Sequence, residues 1–250
     1  MFGWWRRRTA RPIPDALWNE ALAAYPFLAE RSTRDLERLR ELAARFLAGK
    51  EFHGAQGLAI TDSMAVAIAT QAVLPVLHLG LDWYDDFVGI VVHPDQVVAR
   101  RTSQDEAGVV HEWDEVLAGE AMERGPVMLS WHDVRQAGES AAQGYNVVVH
   151  EFIHKIDMRD GEPDGCPPLP AGHRRAWRTT IEAEYERFRE KVLIAERFGG
   201  EEPWLDPYGA ENVGEFFAVA GEAYFVNRAT FAAEFPALQA LFDGFFRPAA

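Results

Sequence analysis

The stretch HEFIHKID, residues 150–157, carries two histidines four positions apart and follows three consecutive valines. On a helix such positions lie one turn apart on one face, so His150 and His154 can direct ring nitrogens at a single metal ion. Glu151 lies beside that ion, where it can take a proton from water and later give it to a leaving amine. Burying two imidazoles and a carboxylate without partners is costly, and a metal satisfies all three. The motif predicts a zinc hydrolase; the alternative is a core helix whose histidines only satisfy hydrogen bonds.

The composition of the 250-residue chain narrows the class of protein. Hydrophobic residues make up 48% and charged residues 26%, as in ordinary globular domains. The formal net charge of −14 disfavours binding to a phosphate backbone, so no nucleic-acid partner is expected. The sequence has no run of about 18 apolar residues, so no membrane span is predicted. Prolines and charges interrupt residues 9–27, where a secretory signal would need an apolar stretch. The single cysteine, Cys166, excludes an internal disulfide, and we expect a reducing cytoplasmic location.

Hydrophobic periodicity predicts an α+β fold in which helices, then strands, then helices surround one cleft. Helices are expected at 32–47, 61–73, 146–157 and 173–198, with two more beginning near Asn212 and Pro236. Strands of a small, largely antiparallel sheet are expected at 87–94, 97–101 and 126–131. We expect a single domain over residues 13–250, after a loose tail at 1–12 that carries Trp-Trp-Arg-Arg-Arg.

Zinc needs a third protein ligand, and residues 206–225 offer three glutamates around a helix start. Glu215 and Glu222 are seven positions apart and therefore share a helix face, so one can bind the metal while the other orients a histidine. Glu215 is the first candidate for the ligand and Glu211 the second. The alternative for Glu215 is an ordinary capping box with Asn212.

Two weaker candidates have equally plausible structural explanations. Asp157, three residues beyond His154, can brace a ligating imidazole or can be a solvated carboxylate at the helix end. The segment PVMLSW, residues 126–131, can be a strand at the edge of the cleft that pairs with an extended peptide substrate, or an ordinary internal strand.

Four blocks of the sequence, in this order, resemble the Mlc titration factor A family. These are LPVLHLGLDWYDDF (74–87), GPVMLSWHDV (125–134), HEFIHKIDMRDG (150–161) and VGEFFAVAGEAYF (213–225). The likeness runs from about residue 13 to 246. One departure is Val213-Gly214 before Glu215, where the family pattern has Pro-Ala.

The resemblance implies a bacterial cytoplasmic zinc peptidase whose zincin-like core is similar to that of anthrax lethal factor. It implies one zinc ion per chain, held by His150, His154 and Glu215, with Glu151 as general base. It also implies that Tyr208, seven residues before Glu215, donates a hydrogen bond to the oxyanion; the residues alone favour a loop aromatic packing on the core.

The family's known activities imply two functions. One is hydrolysis of peptides as an aminopeptidase. The other is binding of the transcriptional repressor Mlc, with regulation of the sugar phosphotransferase system as a consequence. The rival interpretation is therefore a non-catalytic titration protein whose zinc site is structural or vestigial. The intact Glu151 favours the enzyme, because binding alone needs no general base.

Overall fold

The structure is a computed structural model that describes residues 9–104 and 110–248. Residues 1–8 of the expected loose tail lie outside the described residues, so this prediction is not tested there. The chain is anchored immediately after the tail: Ile13 is buried, and its carbonyl accepts a hydrogen bond from Arg40. That the remainder forms a single domain stays a prediction.

The described residues are mostly helical. The helices are α1 Asp15–Ala24, α2 Pro26–Ala29, α3 Thr33–Gly49, α4 Asp62–Ala72, α5 Trp131–Ser140, α6 Val147–Asp157, α7 Ala171–Phe198, α8 Val213–Val226, α9 Arg228–Glu234 and α10 Pro236–Phe246. The strands are β1 Glu51–Gly54, β2 Gly89–His93, β3 Val97–Gln104, β4 Val110–Leu117, β5 Gly119–Ala121 and β6 Val127–Ser130. All the predicted helices are present at the expected places, and the α+β fold is confirmed.

The prediction of a largely antiparallel sheet is wrong, because the sheet is mixed. Its order is β1-β2-β6-β5, in which β1, β2 and β6 are parallel and only β5 runs antiparallel to β6. Helix α4 lies in the connection from β1 to β2, and such a helical crossover returns the chain in the parallel direction. The apolar run of β2 suits a strand with neighbours on both sides. Strands β3 and β4 form a separate antiparallel pair.

The edge of this sheet near the motif helix is β5, and not the PVMLSW segment. Strand β6 lies between β2 and β5, so the internal-strand interpretation of PVMLSW is correct. The chain turns helical directly after β6, because the Ser130 hydroxyl accepts a hydrogen bond from the Asp133 amide at 3.3 Å and caps α5. Sequence patterns gave no sign of β5, whose three residues, Gly-Glu-Ala, include no β-branched or aromatic side chain.

Helices α6 and α8 form the centre of the molecule. Every residue of α6 is buried, as are nearly all residues of α8. Aromatic rings of α7 and α10 pack against α8: Trp177 and Phe242 contact each other and Phe217 of α8, with centroid separations of 5.5–5.7 Å. This packing fixes α8 beside α6, so polar side chains on their facing surfaces must pair with each other. In the described part of the chain, no helix combines the length and the apolar character needed to cross a membrane.

Candidate metal centre

A buried polar network fixes the start of α6. Asn146 is the N-cap: its side-chain oxygen accepts a hydrogen bond from the Val149 amide at 2.9 Å. The Asn146 side-chain nitrogen donates to Gln71 of α4 at 2.8 Å, and both side chains are fully buried. The rotation of α6 about its axis is therefore set by a contact with a neighbouring helix as well as by apolar packing.

Three donor atoms meet between α6 and α8. His150 Nε2 lies 3.2 Å from His154 Nε2 and 3.3 Å from Glu215 Oε2, and His154 Nε2 lies 3.1 Å from the same Glu215 oxygen. Ligand atoms about 2.0–2.1 Å from a metal in tetrahedral geometry lie about 3.3–3.4 Å apart. The three residues therefore have the spacing of three corners of a tetrahedral metal site, and the donor set of two imidazoles and a carboxylate suits that geometry.

Glu215 reaches the cluster from the first turn of α8. Its backbone amide donates to the Asn212 side chain at 2.9 Å, so the capping interpretation holds for the backbone, while the carboxylate turns to the histidines. Glu211 ends the short 3-10 turn Pro207–Ala210 and does not belong to the cluster. Burial raises the pKa of Glu215, but hydrogen bonds with the two histidines lower it more, so this carboxylate stays charged.

Glu222 contacts His150 on the ring edge opposite the cluster. One of its oxygens lies 3.2 Å from His150 Nδ1, the other accepts a hydrogen bond from the Asn146 amide, and the side chain is 1% exposed. A proton on Nδ1 directed at Glu222 leaves the Nε2 lone pair for a metal. Burial raises the pKa of Glu222 to about 7.

The two glutamates that contact His150 make this position favourable for positive charge. Burial alone lowers the pKa of His150, but hydrogen bonds with Glu215 and Glu222 outweigh burial and raise the pKa well above its ordinary value. A proton satisfies this demand in the protein alone. A divalent cation bound to Nε2 would satisfy it equally and release the proton.

Glu151 lies next to the cluster but not in it. The side chain is 5% exposed and borders the cavity in front of the histidines. Burial raises the pKa of Glu151 above its ordinary value, which makes it a better proton acceptor than a solvated glutamate. Neighbouring Gly119 of β5 has no side chain, and a Cβ atom there would lie 2.5 Å from Glu151 Oε1.

A cavity of about 430 Å³ opens in front of these groups. Its wall carries four carboxylates and two phenols: Glu120, Glu151, Asp206, Glu215, Tyr145 and Tyr208. Among residues 9–97 and 118–248, whose side chains the structure describes, no lysine or arginine lines it. The ring of Tyr208 lies 6.2 Å from that of His150, centroid to centroid, and the side chain is 37% exposed. The structure thus brings together all the principal residues expected from the sequence.

Three acidic or phenolic wall residues, Glu120, Tyr145 and Asp206, escaped the sequence analysis; Glu120 belongs to β5, which has no strand signal. Tyr145 directly precedes the capping residue of α6, a position that faces the cleft, and burial raises the pKa of its hydroxyl so that it stays protonated. Asp206 accepts a hydrogen bond from the Tyr208 amide at 2.9 Å. A residue before an N-cap and an Asp-Pro-Tyr turn are common in loops, so neither pattern is informative until the motif helix has been placed.

Asp157 differs from both of its predicted roles. The side chain is fully buried, so it is not solvated, and Oδ2 accepts a hydrogen bond from the Gly165 amide at 2.8 Å. Within the described residues Oδ1 has no hydrogen-bond partner, and no hydrogen bond joins Asp157 to a histidine. Asp157 therefore holds the loop that follows α6. Burial raises its pKa to about 7.

Comparison of the sequence with known proteins places this chain in a family. The sequence model of the glucose-regulated metallo-peptidase M90 family matches residues 2–247. Mlc titration factor A of Klebsiella pneumoniae is 34% identical over 99% of this chain and 92% of its own length. The protein of the same name from Edwardsiella ictaluri is 35% identical over 99% of this chain and 93% of its own, and that from Salmonella arizonae 32% identical over 99% and 97%. With the match spanning almost every residue, and with a donor cluster of the kind that a metallopeptidase requires, the chain belongs to the glucose-regulated metallo-peptidase M90 family.

Proposed function

We propose that the protein is a zinc-dependent aminopeptidase whose metal is held by His150, His154 and Glu215. The observation that carries the proposal is the spacing of 3.1–3.3 Å among their three donor atoms. Two imidazoles and one carboxylate form a frequent ligand set of catalytic zinc, with one position left open. Zinc bound there supplies Lewis-acid chemistry: it polarises the scissile carbonyl and makes a water molecule acidic.

Glu151 is the general base and acid of this proposal. Its carboxylate borders the cavity beside the histidines, and its raised pKa suits a group that takes a proton from water and returns it to the leaving amine. Glu222 orients His150 so that Nε2 faces the metal. The negative charge of Glu215 partly neutralises the positive charge of the metal ion.

Tyr208 is proposed to stabilise the transition state. Its ring packs beside His150 on the cavity wall. We therefore propose that its hydroxyl donates to the carbonyl oxygen of the substrate as that oxygen becomes negative. A donor aimed at such an oxyanion is worth about 10²–10³ in rate.

Strand β5 is proposed to bind the substrate backbone. Among the described strands it is the last in its sheet, and Gly119, Glu120 and Ala121 all line the cavity. An extended peptide can add to such an edge through backbone hydrogen bonds. The substrate class is therefore peptides with an extended segment at the scissile bond.

The charge of the cavity supports cleavage at the amino terminus. With Glu151 and Glu215 assigned to proton transfer and to the metal, Asp206 remains as an acidic wall residue, and no lysine or arginine among residues 9–97 and 118–248 lines the cavity. Such a wall attracts the ammonium group of a free N-terminus and repels a substrate carboxylate.

Hydrolysis of matched substrates tests the proposal. Wild type with zinc should cleave alanyl-p-nitroanilide and spare its N-acetylated form, while Glu151→Gln should lose about 10²–10⁴ in kcat. Glu184→Gln, which alters a buried glutamate of α7 that does not line the cavity, should leave the rate unchanged. Full activity of Glu151→Gln would refute the role of the base, and equal cleavage of the acetylated substrate would refute the aminopeptidase specificity.

A second candidate function is the binding of an Mlc-type transcriptional repressor, in the cytoplasm. The name Mlc titration factor A, carried by relatives that span this chain almost completely, supports it. Binding of purified Mlc repressor to wild type and to Glu151→Gln, measured by calorimetry, separates the two functions. Equal binding by both proteins, with no hydrolysis by wild type, would favour a titration protein with a structural zinc site.

A further inference from the structure

Lys155, the residue after the second histidine of the motif, has a role that metal binding does not explain. Its side chain is 1% exposed, and its ammonium group donates to the carbonyls of Met122 at 2.8 Å and Gly125 at 3.3 Å. It also lies 4.4 Å from the centre of the Phe87 ring. The two carbonyls belong to the turn that joins β5 to β6, so α6 is tied to the end of the edge strand.

The beginning of the edge strand also touches α6. Gly119 lies against Glu151 so closely that a Cβ atom would be 2.5 Å from Oε1 and 2.7 Å from Cγ of the glutamate. Glu151 and Lys155 are four positions apart and share one face of α6. That single face therefore contacts β5 at Gly119 and the β5–β6 turn at Met122.

We propose that Lys155 is a positioning residue that holds β5 in register against α6, so that an extended substrate backbone pairs at the right distance from Glu151. Strand β5 has three residues and, among the described strands, one neighbour, so its own ladder is too short to fix its position. A buried ammonium group bound to two carbonyls supplies the missing restraint. The inference rests on the proposed peptidase function and refines how its substrate is bound.

The structure provides a matched control in Lys50. Its ammonium group also donates to two backbone carbonyls, those of Tyr84 and Phe87, and lies 3.6 Å from the centre of the Phe87 ring. Lys50 borders neither β5 nor the metal cavity. Lys155→Met and Lys50→Met therefore remove the same kind of contact, but only the first frees the edge strand.

Amide hydrogen exchange of the zinc-free protein is the first readout, because it does not depend on activity. Lys155→Met should speed exchange at the amides of residues 119–125 by at least about tenfold relative to wild type, whereas Lys50→Met should leave them unchanged. If Lys155→Met does not fold, Lys155→Gln takes its place, since its shorter amide keeps the polarity but loses the reach. Unchanged exchange at 119–125 would overturn the proposal.

Substrate length is the second readout. With zinc, Lys155→Met should lower kcat/KM for pentaalanine at least tenfold, chiefly through KM, and should change that for alanyl-p-nitroanilide less than about threefold, because the anilide has no backbone beyond the scissile bond to pair with β5. Equal losses on both substrates would overturn the positioning role. If wild type cleaves neither substrate, the proposed peptidase fails instead, and binding of uncleaved pentaalanine to both variants decides the role of Lys155.

Discussion

The chemistry of the cluster depends on which nitrogen of His150 carries a proton. Glu222 accepts at Nδ1, and the cluster formed with His154 and Glu215 lies at Nε2. One buried carboxylate thus selects the tautomer, and the other remains charged to meet a cation. The two glutamates sit seven residues apart on α8 and act on opposite edges of the same imidazole.

Replacement of Glu222 by Gln should weaken zinc binding by about 10–100-fold. The Gln oxygen can still accept from His150 Nδ1, but its NH₂ group then faces the Asn146 amide, which loses its acceptor. Competition with a chelating dye measures the affinity. Glu184→Gln changes another buried glutamate, on α7, and should bind zinc as wild type does. Equal affinities for the two variants would contradict this role of Glu222.

Asp157 should make the zinc-free protein less stable as pH rises. Its pKa is about 7 when folded and about 3.9 when unfolded, so the folded state binds more protons between these values. The contribution of Asp157 to the free energy of unfolding therefore falls from about pH 4 to pH 7 and is constant above. Asp157→Asn should be more stable than wild type by about 1–3 kcal/mol at pH 8, with the difference vanishing near pH 4. Urea unfolding across this range measures it, and parallel pH profiles would refute it.

At the scale of elements, local patterns predicted the helices well because their signals are local. Asn146 caps α6 and Asn212 caps α8 as their side chains suggest. Strand direction depends on which strands become neighbours, and a run such as β2 does not encode that, so the sheet was predicted antiparallel and is mixed. Strand β5 has no signal of its own and exists because β6 and α6 provide surfaces for it.

The departure from the family pattern at Gly214 has a structural explanation. A Cβ atom at this position would lie 2.2 Å from the Pro163 carbonyl oxygen, so the loop after α6 occupies the space that an alanine needs. Gly214 is in the first turn of α8 and directly precedes Glu215. The close approach of this loop therefore helps to set the position of Glu215, the third proposed ligand.

Gly214→Ala should destabilise the protein by about 1–3 kcal/mol and weaken zinc binding, because the start of α8 must shift. Gly244→Ala is the control, since a Cβ atom in that exposed part of α10 meets nothing within 4 Å. Replacing that glycine should raise stability by about 0.5–1 kcal/mol. Thermal unfolding with and without zinc measures both effects. A Gly214→Ala protein as stable as wild type would contradict the prediction, because the loop would then move away from the new Cβ atom at no cost.

At the scale of the whole molecule, the candidate centre joins two parts of the chain that are 61 residues apart at His154 and Glu215. The histidine pair was predictable because its spacing is a property of one helix. The choice of Glu215 over Glu211 was not, because it depends on how α8 packs against α6. Tyr145 and Asp206 reach the cavity only through the assembled fold.

Because two ligands come from α6 and one from α8, a bound metal should stabilise the packed core as a whole. Free zinc at about 1,000 times its dissociation constant adds about 4 kcal/mol to the free energy of unfolding. Thermal unfolding should accordingly shift to higher temperature with zinc and return after chelation. The Glu215→Ala protein should show a much smaller shift, and a wild-type melting temperature indifferent to zinc and to chelator would argue against a metal in the core.

The metal content of the purified protein tests the central claim most directly. Elemental analysis of wild type, Glu211→Ala and Glu215→Ala, each reconstituted with zinc and freed of excess, reports both the ion and its ligands. We expect one zinc per chain in wild type and in Glu211→Ala, and almost none in Glu215→Ala. Wild type without bound metal, or Glu215→Ala with a full complement, would contradict the proposed centre of His150, His154 and Glu215.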